Sequence, residues 1–241
     1  MDPQVSDQDI INYYDYCEID YRWLWHLREQ SAMHYGFWHA ETKLLRDALK
    51  NMNDYVLGKM EIQNGDNLLD AGCGIGGTSV YAARLWNCHM QGITLSEKQV
   101  QTATNLAQSK KLKGTAQFSA QNYCHTRFPN ESFNGVFGIE SICHATDKEV
   151  FLKEAARLLK PGGRLVIADF FKSRNAHQAD DEKLLQDWAH SWAVPEFSFY
   201  GDFIDWAQRN GLRLVENNDI TDHIRRSARR LYWCFYPGLF C

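Results

Sequence analysis

Leu68-Leu69-Asp70-Ala71-Gly72-Cys73-Gly74-Ile75-Gly76-Gly77 decides the fold: a short apolar run ends in an acid, and four glycines then fall within six positions. Thr78 to Trp86 follows with the pattern of a helix. The stretch therefore reads as a strand, a tight turn and a helix start. Glycine lets such a turn take positive φ and lets a ligand lie against bare backbone. The helix start adds unpaired N–H groups that favour a carboxylate or phosphate. Gly72, Gly74 and Gly77 satisfy G-x-G-x-x-G, the dinucleotide-binding spacing, which alone is a weak signal. Asp70, two residues before the first glycine, and Gly76 are additions to that pattern. A turn that binds nothing is the poorest reading, because so many glycines cost backbone entropy that a structural turn rarely needs.

Strand and helix patterns alternate after Asn64-Gly65-Asp66. Strands are expected at Asn67–Ala71, Cys88–Thr94, Thr115–Ala120, Phe133–Glu140 and Arg164–Phe171. Ser96–Ser109 reads as a helix, opened by a capping box of Ser96 and Gln99. Lys148–Leu159 is a second helix, stopped by Lys160-Pro161-Gly162-Gly163. The fifth strand is nearly all apolar, as a strand buried on both faces should be. Such alternation predicts a parallel sheet with helices on both sides. Ligands of these sheets sit at the carboxyl ends of the strands near the switch in strand order. That puts Gly72–Gly77, Thr94, Asn122 and Glu140 on one rim. Leu212–Asn218 is expected as a sixth strand, with Leu231–Tyr236 the sole apolar run after it. The ending Leu239-Phe240-Cys241 suggests a chain shorter than its relatives.

The 241 residues carry a net charge of −4, with 44% hydrophobic and 23% charged. This is ordinary globular usage. The slight acidity argues against a nucleic-acid substrate, whose binders carry a basic face. Seven cysteines lie at 17, 73, 88, 124, 143, 234 and 241, with no C-x-x-C pair. Neither a zinc site nor a disulfide framework is expected, and reduced thiols point to the cytoplasm. Met1-Asp2-Pro3-Gln4 has no signal-peptide character, and no apolar run approaches a membrane span.

Residues 1–63 read as a helical lid, 64–172 as the ligand-binding core and 173–241 as a substrate cover, all within one domain. The lid holds an aromatic run: Tyr13, Tyr14, Tyr16, Tyr21, Trp23, Trp25, Tyr35, Phe37 and Trp38. Most of these rings are expected to pack on the sheet, and the remainder to face a ligand. Helices at Asp180–Ala193 and Asp202–Asn210, with Trp188, Trp192 and Trp206, supply an opposite wall.

Several stretches share one resemblance. Asp70-x-Gly72-x-Gly74-x-Gly76 resembles motif I of class I S-adenosylmethionine (SAM)-dependent methyltransferases. Met33-His34-Tyr35-Gly36-Phe37-Trp38, Gly92-Ile93-Thr94-Leu95-Ser96-Glu97-Lys98-Gln99 and Ile139-Glu140-Ser141-Ile142-Cys143-His144-Ala145 are similar to segments of the tocopherol-, sterol- and cyclopropane-fatty-acid-synthase-type enzymes. So are Leu158-Leu159-Lys160-Pro161-Gly162-Gly163 and Asn218-Asp219-Ile220-Thr221-Asp222-His223-Ile224. The resemblance implies a Rossmann-like sheet closed by an antiparallel hairpin, an N-terminal lid and a C-terminal helical insertion. It implies SAM as cofactor, S-adenosylhomocysteine (SAH) as product and no metal.

By the same resemblance, Asp70, Gly72, Gly74, Thr94, Leu95, Gln99, Gln121, Asn122, Tyr123 and Glu140 hold the cofactor. Tyr14, Tyr35 and Trp38 offer aromatic faces to its sulfonium. Two positions depart from the pattern. Thr94 stands where an acid usually holds ribose hydroxyls, and Asn122 replaces an Asp beside the adenine amine. The missing acid also weakens a nicotinamide reading.

Glu140, His144 and His223 are the candidate bases, with His34 in reserve. Glu140 and His144 would share one face if their segment is helical. Glu140 has an alternative role as a cap on the following turn, and each histidine as a packed, hydrogen-bonded side chain. The expected acceptor is a lipophilic small molecule methylated at carbon or nitrogen: a prenylated quinol, a terpenoid or sterol, or an alkaloid-like amine. The alternatives are a non-catalytic SAM-binding scaffold and a nicotinamide-dependent oxidoreductase. Arg225, Arg226, Arg229 and Arg230 read as a solvated face, with a contact to anionic lipid headgroups or to an acidic substrate as the alternatives.

Overall fold

The computed structural model describes residues 5–24, 33–174 and 179–235. Trp25, Met1–Gln4 and residues 236–241 lie outside the described residues, as do the side chains of Tyr21 and Trp23. Five strands, β1 (Asn67–Ala71), β2 (His89–Thr94), β3 (Thr115–Ala120), β4 (Phe133–Ile139) and β5 (Leu159–Ala168), form one sheet in the order β3-β2-β1-β4-β5. Every pairing is parallel. Strand order reverses at β1, which has β2 on one side and β4 on the other, so the glycine turn leaves the sheet at the switch point.

The helices are α1 (Asp7–Leu24), α2 (Leu45–Lys59), α3 (Gly77–Leu85), α4 (Glu97–Gln108), α5 (Lys148–Leu158), α6 (Ala179–Ser191), α7 (Tyr200–Arg209) and α8 (Thr221–Phe235). Side chains alternate across a strand, and β1 shows it. Leu69 and Ala71 enter a core with Phe151 and Leu152 of α5 and Phe203 of α7. Leu68 faces the other way, into a core with Met52 and Val56 of α2 and Ala82 and Ala83 of α3. Burial of each such leucine contributes about 1.5–3 kcal/mol. The apolar run read as β1 is thus buried on both faces.

Two expectations fail at the sheet's far side. Leu212–Asn218 forms no strand, and its residues are mostly exposed. Leu231–Tyr236 is no strand either: residues up to Phe235 belong to α8. Ile224, Ala228 and Leu231 recur at helical spacing, and this stripe packs against Tyr35, Leu45 and Leu49. The expected hairpin therefore loses its second arm to a helix. Among the described residues β5 pairs with β4 alone, and its residues are half-buried rather than closed in on both sides. The expected turn at Lys160–Gly163 is instead drawn into β5 as an irregularity: Leu159 pairs Phe133, regular pairing resumes at Arg164, and Gly162 takes φ 79°.

Candidate active site

A cleft of about 870 Å³ opens at the carboxyl ends of β1, β2 and β4, and α1 lies over it. Its floor is the glycine turn. Gly72 takes φ 95°, and a Cβ there would stand 2.4 Å from Ser141 Cβ, so only glycine lets the turn pass beneath the β4 loop. Gly74 takes φ 50° and faces the cleft, with Met33 Sδ 3.4 Å from where its Cβ would be. Asp70 also lines the cleft; burial pushes its carboxyl up to about 7, and its Oδ2 accepts from Ser79 Oγ at 2.7 Å.

Thr94, Leu95 and Gln99 form one wall. Ser96 caps α4 by accepting from Gln99 N, but the return arm of the expected box is absent. Gln99 Oε1 instead accepts from Thr94 Oγ1 at 2.5 Å. The pair presents a hydroxyl and an amide to the cleft where an acid was missing. Tyr123 lines the same cleft and donates through its hydroxyl to Ser141 O.

Gln121 and Asn122 do not line the cleft. Gln121 bonds Arg127 N and Ser119 Oγ, while Asn122 Oδ1 accepts from Cys124 N and its Nδ2 donates to Asp7 of α1. The rings of Tyr35 and Trp38 also face elsewhere. Tyr35 packs edge-on to Phe170 and Trp192, and Trp38 lies under the Arg226 guanidinium at 4.3 Å. Tyr35 acts through its backbone: its N–H donates to Glu140 Oε1 at 2.8 Å.

Glu140 and His144 line both this cleft and a narrow adjoining chamber walled by Tyr13, Phe170, Trp188, Trp192 and Phe197. They are not stacked on a helix. Glu140 takes φ 50°, rare for a side chain with a Cβ and worth about 1–2 kcal/mol of strain. A single 3₁₀ turn, Ile142–His144, follows. Burial drives the Glu140 carboxyl up to about 8, against the Tyr35 N–H, and the Asp169 carboxylate adds to the rise. His144 is pushed down by burial. Its Nδ1 lies 3.1 Å from Ala193 O, so Nδ1 carries the proton and Nε2 accepts from Tyr14 O–H at 2.9 Å.

His223 is outside the site. Its ring stacks on Phe37 at 4.1 Å and its Nδ1 bonds Trp38 O. Its role is the alternative one, a packed and hydrogen-bonded histidine. His34 lines the cleft, but its Nδ1 and Nε2 bond Tyr35 O and Asn53 Oδ1, and burial lowers its pKa. Glu140 does not cap the turn after it; Asp169 does, a residue nothing in the local sequence marks. Ile10 and Ile11 of α1 also line the cleft, indistinguishable by pattern from core residues. Cys73, Cys88, Cys124 and Cys143 are free thiols.

These raised carboxyl values predict how stability follows pH. Folded Glu140, at about 8 against 4.5 in an ordinary setting, holds its proton where the unfolded chain has lost it. Stability of the ligand-free protein should therefore fall as pH rises from about 4.5 to 8. Glu140→Gln should flatten that slope by a few kcal/mol at most, read by urea unfolding at pH 5 and 8. An unaltered slope would contradict the buried-acid assignment.

The family described as mycolic acid cyclopropane synthetase matches residues 2–229. The chain is 33% identical to 27-O-demethylrifamycin SV methyltransferase of Amycolatopsis mediterranei, over 81% of this chain and 71% of that one. It is 30% identical to 2-methyl-6-phytyl-1,4-hydroquinone methyltransferase of Synechocystis sp., over 86% of this chain and 66% of that one. In fold it is similar to the mycolic acid cyclopropane synthase CmaA1 complexed with SAH and CTAB, at TM-score 0.84 and 17% identity, covering 99% of this chain and 86% of that one.

Proposed function

We propose, from a chain that belongs to the mycolic acid cyclopropane synthetase family and is a SAM-dependent methyltransferase, that its acceptor is an uncharged lipophilic small molecule which gives up a proton to Glu140. One observation carries this reading: a buried carboxyl, with its proton affinity raised to about 8, stands where the glycine-floored cleft meets the aromatic chamber.

The cleft fits the cofactor. The bare backbone at Gly72 and Gly74 and the α3 N-terminus would hold the amino-acid portion, Thr94 and Gln99 the ribose, and Leu95 and Tyr123 the base. SAM supplies a methyl group on a sulfonium, already activated, so the protein's main task is placement. Glu140 accepts the proton that a phenol or an aromatic carbon must lose. Tyr14 and His144 hold the loop around it, Tyr14 O–H donating to His144 Nε2 and His144 Nδ1 to Ala193 O.

The chamber selects the acceptor. Phe170, Trp188, Trp192 and Phe197 supply apolar surface, and no Lys or Arg is among its described lining residues. Lys148, the nearest buried cation by sequence, is turned to Ala145 O and Glu196 O. An anionic acceptor would thus be desolvated without a partner. The relatives named for a demethylrifamycin and a phytylhydroquinone support a large, mostly apolar hydroxy compound. A neutral amine, which needs no base, is the second reading, favoured only if Glu140 proves dispensable.

No described helix is long and apolar enough to cross a membrane. The outer face of α8 exposes Arg225, Arg229, Tyr232 and Trp233, which supports peripheral contact with the lipid that holds such acceptors. The free thiols support a reducing, cytoplasmic setting.

The test is a panel of quinols, terpenoids, sterols and amines incubated with SAM, with methylated product read by mass spectrometry. Methylation confined to amines would sink the proton-transfer reading. Trp188, 42% exposed on the chamber wall, reports on acceptor binding. Trp188→Ala should raise acceptor KM about tenfold, the worth of about 1.4 kcal/mol of lost contact, while SAH affinity stays the same. A change in SAH affinity instead would move Trp188 out of the acceptor wall.

A further inference from the structure

We propose that Asp169 is the positioning residue of this site: its carboxylate grips the turn between Glu140 and His144 and so sets where both side chains stand. The inference rests on Glu140 being the proton acceptor. Asp169 follows Ala168, the last residue of β5. Its Oδ2 accepts from three consecutive amides, Ser141 N at 3.1 Å, Ile142 N at 2.7 Å and Cys143 N at 3.0 Å. Its Oδ1 accepts from Phe170 N at 2.8 Å. Both oxygens are thus committed to backbone, and Asp169 lines neither cavity.

The three amides begin a 3₁₀ turn and have no helical partner of their own. They converge on one oxygen only if the chain curls sharply after β4, and that curl places Glu140 in its left-handed conformation. Glu140 N meanwhile donates to Ala168 O at 2.8 Å, so strand pairing passes directly into the grip of Asp169. From the opposite side Ser141 Oγ donates to Ala71 O, and Tyr123 donates to Ser141 O. The turn is clamped between the glycine floor and Asp169. A shift of the carboxylate moves Glu140 and His144 together.

The charge matters as well as the grip. Asp169 faces Glu140 from the end of β5 and raises its proton affinity. The other titratable groups around Glu140 are Tyr13 and Tyr14 on α1, Tyr35, and Cys143 and His144 on the same loop. Burial keeps Tyr14, Tyr35, Cys143 and His144 in their neutral forms. Lys148 acts on His144 and on Asp169, with its Nζ held by two carbonyls. An amide in place of the Asp169 carboxylate keeps an accepting oxygen for the turn but removes the anion.

The experiment is a titration of the ligand-free protein by carboxyl-carbon NMR with labelled glutamate, Glu140 being identified by its absence in Glu140→Gln. Hydrogen exchange at Ser141, Ile142 and Cys143 reads the grip, and SAH binding controls for folding. In Asp169→Asn, Glu140 should titrate about one pH unit lower than in the wild type, and the three amides should exchange at least tenfold faster. Asp169→Glu restores the charge on a longer arm: the titration should return toward wild type while exchange stays fast. This second variant serves also if the first folds poorly. Unchanged titration and exchange in both variants overturns the proposal. A wild-type Glu140 that titrates in the ordinary carboxylate range overturns instead the assignment of Glu140 as the buried base.

Discussion

Glu140→Gln should lower turnover by about 10²–10⁴-fold on an acceptor that must lose a proton, the usual worth of a positioned general base. SAH affinity should change by no more than a few-fold. The substitution keeps the volume and leaves an oxygen to accept from Tyr35 N, so the lid segment stays in place. The wild-type rate should also rise with pH through a limb near 8, because the proton-accepting form of Glu140 becomes populated only as pH passes that value. Glu140→Gln should lose the limb along with the rate. His144→Ala should cost less, since it removes the partner of Tyr14 and a tie to Ala193 but not the carboxylate. A Glu140→Gln enzyme that keeps its rate on a phenol or carbon acceptor would remove Glu140 from the mechanism.

Gly74→Val should abolish SAH binding, from the low micromolar affinity expected of this cleft, about −8 kcal/mol, to below detection. Two effects combine. Gly74 sits at φ 50°, where a β-branched residue is strained. Its Cβ would project into the cleft toward Met33, on the surface where bare backbone is needed. Gly162→Ala separates the two effects: Gly162 has φ 79° and nothing within 4 Å of its Cβ position, and it lies in the turn of β5 away from the cleft. It should lose about 1–2 kcal/mol of stability and no affinity for SAH. Affinity measured by calorimetry that survives in Gly74→Val would show that the glycine turn does not hold the cofactor.

What the residues disclosed ahead of the structure follows a physical division. The strands could be read because their signals are local: short runs of strand length that alternate with helical stretches, β1 and β4 apolar and largely buried, β3 half-polar at the sheet edge. The sheet's far edge could not. Leu212–Asn218 has strand composition, but a strand needs a neighbour, and the residues expected to provide one have an apolar stripe at helical spacing that finds a better surface on Tyr35 and Leu49. The same division runs through the site. Gly72, Gly74 and Thr94 were legible because turn chemistry and strand ends are local, while the place of Gln99 beside Thr94 came from the family resemblance. Tyr35 and Trp38 were recognisable as lid residues but not by which way their rings face. The cap on the turn after Glu140 comes from 26–28 residues downstream, beyond any local pattern.

Ser227 is fully buried on α8 and accepts from Gly36 N at 3.0 Å and Trp38 Nε1 at 2.9 Å, partners 191 and 189 residues earlier in the chain. Contacts of such separation form late, because loop closure must precede any gain from them. During synthesis these two contacts therefore wait until nearly all the described chain has emerged, while the β1–β4 sheet and the same segment's bonds to α2, such as Phe37 N to Ala48 O, can already form. Docking of α8 is expected to follow formation of the sheet, so Tyr35 should settle against Glu140 after the glycine floor is in place. In pulse-labelling hydrogen exchange during refolding, the amides of Tyr35 and Gly36 should gain protection after those of β1, and slowing α8 docking with Ser227→Ala should delay that protection without delaying the sheet.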